Sequence, residues 1–221
     1  MGRNATGVRA VRLKPGDEFI TSPVAFPTTV NPGIIYGLTP VFVDVEPDTL
    51  NIDADKIEKA LTKKTKLIMV AHTLGKPFNL DKIMKLAKTY KLKVIEDACE
   101  SIGAEYKGKK VGTFGESSVI AFYPNKQMTT GEGGIVLTND EKLDKLFRSL
   151  RNQGRAENMQ WLDHERLGYN YRMDELSAAV GLAQIEKINF LLSERRKVAE
   201  MYSKYLKPYS DLIQVPVVAL D

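Results

Sequence analysis

From Asp17 onward, short runs of β-branched and apolar residues alternate with stretches whose apolar positions recur every three or four residues. That alternation predicts an α/β fold, a mostly parallel mixed sheet with helices on both faces. Strands are expected over residues 18–22, 40–45, 66–72, 93–97, 118–123 and 134–138, several apolar almost throughout and therefore buried on both sides. Helices are expected over 54–61, with Ile57 and Leu61 on one face and Asp53 as a cap, over 80–90, with Ile83, Leu86 and Ala87 inward, and over 141–150, with Leu143, Leu146 and Phe147 inward. Beyond Asp174 the helical pattern runs longer than an ordinary globular helix and is expected to bend or break within 187–189. The apolar segment 212–220 reads as a further strand.

Composition narrows the partners more than the fold. A chain of 221 residues, 43% hydrophobic, buries a core of its own, and one large domain accounts for most of it. The charged residues are interleaved in sign and leave a net charge of +4 with no basic stripe, which argues against nucleic acid as a partner. The single cysteine, Cys99, excludes an internal disulfide and a cysteine-rich metal site, so no metal is expected and a reducing cytoplasm fits. No apolar run approaches the roughly 18–20 residues that span a bilayer, and the first residues carry no apolar signal core, so a soluble, cytoplasmic protein is expected. Gly2 with Thr6, and Asn4 with Thr6, match acylation and glycosylation strings short enough to arise by chance.

Candidate chemistry gathers at predicted strand ends, where open α/β sheets hold their ligands. In FYPNKQMTTGEGG a strand runs into a glycine-rich loop that carries Lys126. A lysine desolvated there offers a neutral amine for a Schiff base; a solvated loop lysine is the plainer reading. In VIEDACESIG, Asp97 ends a strand and Glu100 follows; Asp97 can face a ligand or cap the next helix. In TSPVAFPTTVNP a Ser, Thr and Pro-rich turn carries Phe26, an aromatic ring free either to stack on a flat ligand or to pack in the core. His72 follows a predicted strand and is expected at the pocket rim, whereas His164, in WLDHERLGYN, reads as solvated.

Over residues 13–206 these blocks, with LTPVFVDVEPDTLNID, AHTLGKPFNLDKI and LGYNYRMDELSAAVGLAQIEKI, resemble the DegT/StrS-type sugar aminotransferases, a branch of the fold type I pyridoxal phosphate (PLP) enzymes. The resemblance implies an aspartate aminotransferase-like large domain over 1–186 that lacks its N-terminal segment, then a long helix and the start of an incomplete small domain over 187–221. It implies PLP as cofactor, Lys126 as the Schiff-base lysine and proton shuttle, Asp97 against the pyridinium nitrogen and Phe26 stacked on the ring. Asn170, in LGYNYR, matches the asparagine that reaches the cofactor phosphate of a neighbouring subunit, which implies a two-fold homodimer with shared sites. Glu100 stands near the cofactor hydroxyl where the family commonly has Gln or His, and Ala121 stands where it has a phosphate-contacting serine.

The implied activity is transfer of an amino group, with glutamate as donor, to a nucleotide-linked keto-sugar in surface polysaccharide, lipopolysaccharide or deoxyamino-sugar biosynthesis. AFPTTVNP, AHTLGKPF and FYP are most similar to the branch containing the PLP-dependent sugar 3-dehydrases, which carry histidine at the lysine position. Lys126 therefore favours transamination over dehydration. A third expectation is a non-catalytic remnant that needs a partner to complete its pocket.

Overall fold

The apolar segments pair largely as their patterning predicts. The computed structural model describes residues 13–156 and 163–215. Strands β1 (Glu18–Thr21), β2 (Thr39–Phe42), β3 (Thr65–Ala71), β4 (Lys93–Asp97) and β7 (Ser117–Ala121) run parallel, and β8 (Gly134–Leu137) pairs antiparallel with β7. The sheet order is β2-β1-β3-β4-β7-β8. A two-stranded ribbon of β5 (Glu105–Tyr106) and β6 (Lys109–Lys110) projects between β4 and β7.

Crossovers α2 (Ala54–Ala60) and α3 (Leu80–Tyr90) start as their sequences dictate, with Asp53 and Asn79 accepting first-turn amides. Of the predicted stripes, Ile57 in α2 and Ile83 and Ala87 in α3 are buried, Leu61 and Leu86 are half-buried, and Leu80 joins the α3 stripe. Helix α4 (Glu141–Arg151) is capped by Asp140. The long C-terminal stretch splits into α5 (Glu175–Ile185) and α6 (Ile188–Leu206), so the expected break falls at Glu186 and Lys187.

The alternation of side chains along a strand sorts the core into two layers. Ile20, Ile68, Val70 and Val94 pack with Ile57, Leu80 and Ile83 of α2 and α3. Phe19, Leu67 and Met69 face the opposite side with Val30 of α1 (Pro27–Ile35) and Ile95.

Three expectations need correction. The segment read as a Ser, Thr and Pro-rich turn is in fact α1, with Pro27 at its first position and Pro32 inside it. It docks through small residues, since a Cβ on Gly33 would come within 2.5 Å of the Phe19 ring. His72 does not line a rim: it and Glu96 are fully buried, 3.1 Å apart, and the imidazole stacks on Phe78 at 4.2 Å. Parity explains this, because His72 continues the Ile68 and Val70 face of β3 into the α2/α3 layer. Residues 212–215 form no strand, and the remainder of that segment lies outside the described residues, as do Gly2, Asn4 and Thr6.

Candidate active site

One step along β4 separates two carboxylates with different fates. Glu96 points into the α2/α3 layer, where its oxygens accept from His72 Nε2 and from the amides of Gly112, Phe114 and Gly115 at 2.7–2.8 Å. Burial pushes this carboxyl up, but the His72 and amide hydrogen bonds outweigh it and hold it below its ordinary value. His72 Nδ1 accepts from the Phe78 amide at 3.4 Å, so a neutral ring protonated on Nε2 satisfies both neighbours. Glu96 thereby anchors the chain that leads into β7.

Asp97 points to the α1 side. It is buried; its Oδ2 accepts from the Thr29 hydroxyl at 2.5 Å and its Oδ1 from the Cys99 amide at 3.1 Å. The Cys99 bond caps a turn rather than a helix, since no helix begins there. Each oxygen keeps a lone pair, and among the described residues no ion pair reaches this carboxylate.

Lys126 lies in the loop between β7 and β8, closed at its base by Phe122 N to Gly133 O and Thr130 N to Phe122 O, both 2.9 Å. Its side chain is only 17% exposed, and Nζ donates to Glu100 Oε1 at 3.2 Å. The second Glu100 oxygen accepts from the Leu74 amide at 3.0 Å, while the Glu100 carbonyl accepts from Gln127 Nε2. Leu74 takes a left-handed conformation, φ 55°, to present that amide. Cys99 registers both charges: burial first, then Asp97, push its thiol up to about 12, against a smaller pull from Lys126.

Phe26, just ahead of α1, is 74% exposed, so its ring is open to a ligand rather than part of the core. Ala121 is two residues beyond Val119, the partner of Asp97, and therefore shares the Asp97 face. Asn170 is exposed, bridges through its backbone to Asn152, and is flanked by Tyr169 and Tyr171, whose rings stack at 5.1 Å. His164 is exposed, as expected. A cavity of about 550 Å³ opens elsewhere, lined by Ile120, Phe122, Met128, Ile135 and Ile185. Ile120 and Ala98 there have the opposite parity to Asp97, so this cavity is not the Lys126 site.

A half-buried lysine and a buried carboxylate that both act on Cys99, with the exposed Phe26 ring just ahead of the helix that carries Thr29, fit a flat, aldehyde-bearing cofactor with a protonated ring nitrogen. Thr29, Leu74 and Gln127 were not singled out in the sequence; they lie in three separate segments and acquire a role only through folding. The model of the DegT/DnrJ/EryC1/StrS aminotransferase family matches residues 4–219. The chain belongs to this family.

Members of the DegT/DnrJ/EryC1/StrS family resemble it in sequence and in structure. Lipopolysaccharide biosynthesis protein RfbH of Salmonella typhimurium is 41% identical over 92% of this chain and 52% of its own length. The solved aminotransferase from Psychrobacter cryohalolentis is 35% identical and superposes with a TM-score of 0.86 over 93% of this chain and 54% of its own. The E. coli GDP-4-keto-6-deoxy-D-mannose-3-dehydratase, solved with bound hydrated PLP, is 34% identical with a TM-score of 0.81 over 89% and 55%. The fold is that of the fold type I aminotransferases. The chain spans about half the length of the curated relatives it matches.

Proposed function

We propose that this chain carries the lysine-bearing half of a PLP-dependent aminotransferase that moves an amino group, from glutamate, to a keto-sugar linked to a nucleotide. The observation that carries this reading is the Lys126 amine, largely shielded and 3.2 Å from Glu100, on the loop that follows the strand paired to Asp97. When bound, PLP supplies an aldehyde that an amine can condense with and a ring that draws electrons from the adjacent C–H bond. Asp97, fixed by Thr29 and Cys99, would hold a proton on the ring nitrogen. Lys126 Nζ would take the substrate proton and return it, and Phe26 would cover the ring face. Glu100 would hold Nζ between those duties. Asn170 would serve the phosphate in a neighbouring subunit of a two-fold dimer, and with Ala121 in place of serine that phosphate loses one hydroxyl donor.

The name of RfbH supports surface polysaccharide biosynthesis as the setting of this reading, which also places the chain in the cytoplasm. Among the described residues no helix is long and apolar enough to cross a membrane. A 3-dehydratase is the second reading, supported by the 34% identity to the E. coli dehydratase. The test is the visible spectrum and borohydride reduction of the PLP-treated chain, with Lys126→Ala as control. A pyridoxyl group fixed at Lys126 in wild type alone supports the reading, and no fixed group in a folded sample overturns it for this chain by itself. Nitrogen on the sugar product separates transamination from dehydration.

A further inference from the structure

Helix α6 meets both the Lys126 loop and the turn at Gly103, three residues beyond Glu100. Leu192 packs against the turn that follows Glu100, where its Cδ1 occupies the space a Cβ on Gly103 would need, 2.5 Å away. One helical step later, Arg195 Nη2 donates to the carbonyl of Lys126 at 2.6 Å and to that of Asn125 at 3.2 Å. Residues three apart share a helix face, so one edge of α6 meets the Gly103 turn and the Lys126 loop together. We propose that Arg195 is a positioning residue for Lys126. It fixes the backbone from which the lysine side chain departs and so keeps Nζ on Glu100. The inference rests on the proposed function only for its catalytic meaning; the positioning itself concerns Lys126 in the cofactor-free chain.

A guanidinium is suited to the task. Its charge strengthens bonds to carbonyl oxygens, and its planar fork offers two hydrogens from one nitrogen in a fixed geometry. A lysine at the same place supplies charge without the fork. Arg196, one residue on, is exposed and rotated about 100° around the helix, which makes it the matched control.

The test uses the whole 221-residue chain and two readouts. The first is the rate at which a small acylating reagent labels the Lys126 amine without cofactor, followed by peptide mass spectrometry. Arg195→Ala is expected to raise it roughly three- to tenfold as the loop loosens and Nζ leaves Glu100, with partial return in Arg195→Lys and no change in Arg196→Ala. The second is the dissociation constant for PLP, expected to weaken about tenfold in Arg195→Ala, which corresponds to about 1.4 kcal/mol. The cofactor-free melting temperature is expected to move little. An unchanged labelling rate in Arg195→Ala overturns the proposal, as does an increase equalled by Arg196→Ala, or one that tracks a collapse in melting temperature and is not reduced in Arg195→Lys. If labelling responds as expected while PLP is never fixed at Lys126, the positioning stands and the functional reading falls.

Discussion

Glu96 and Asp97 are covalent neighbours with opposite assignments. Glu96 holds His72 and three backbone amides inside the core, whereas Asp97 faces α1 and the candidate site. Replacing Glu96 by Gln puts an amide NH₂ against groups that are themselves donors. Urea unfolding at pH 7 is expected to show a loss of about 3 kcal/mol. The folded-state carboxyl lies below its ordinary value of 4.5, so its stabilisation is present above that pH and is lost as the pH falls through the folded value. The difference between wild type and Glu96→Gln is therefore expected to narrow when the same titration is run at pH 3. Cys99 gives a second test at this scale. With its thiol pushed up to about 12, chiefly by burial, it is expected to resist alkylation at pH 8 in the native chain and to react promptly in urea.

Elements with a periodic apolar pattern were legible in the sequence. Helix α3 has its predicted bounds because Asn79 caps it and Leu80, Ile83 and Ala87 make a stripe. Helix α1 carries no such stripe. Its buried residues are Thr29 and Gly33, chosen for close approach to Phe19 and for the bond to Asp97, and its two prolines read as turn chemistry. The β5/β6 ribbon is only two residues a side and its tip residues Lys107 and Gly108 have positive φ, so it shows neither length nor alternation. Lys126, Asp97 and Glu100 were readable as strand-end residues. Their partners Thr29, Leu74 and Arg195 were not, because those contacts join segments far apart in the chain, and Arg195 sits in a charged run that reads as a solvated face. One element also offers a gain. Lys91 ends α3 in a left-handed conformation, φ 55°, so Lys91→Gly is expected to raise the unfolding free energy by about 0.5 kcal/mol, read as a higher urea midpoint at unchanged slope.

At the scale of the molecule, the proposed sharing of sites across a two-fold axis has a direct readout. Lys126→Ala and Asn170→Ala would each disable both sites of its own homodimer. A hybrid dimer, however, pairs the intact Lys126 of one subunit with the intact Asn170 of the other at one of its two sites. Unfolding the two variants together at equal concentration and refolding them is expected to restore roughly a quarter of wild-type sites, measured as PLP fixed by borohydride. Recovery no greater than the sum of the separate variants would place Asn170 outside the neighbouring site.

The reach of Arg195 back to the Lys126 carbonyl also bears on time. A ribosome delivers residue 195 well after the sheet, Asp97 and Lys126 have left the exit tunnel. The nascent chain therefore exposes its sheet and its reactive loop before the clasp that holds the loop. On the proposed role of Arg195, a ribosome stalled before α6 would hold the Lys126 loop without its clasp.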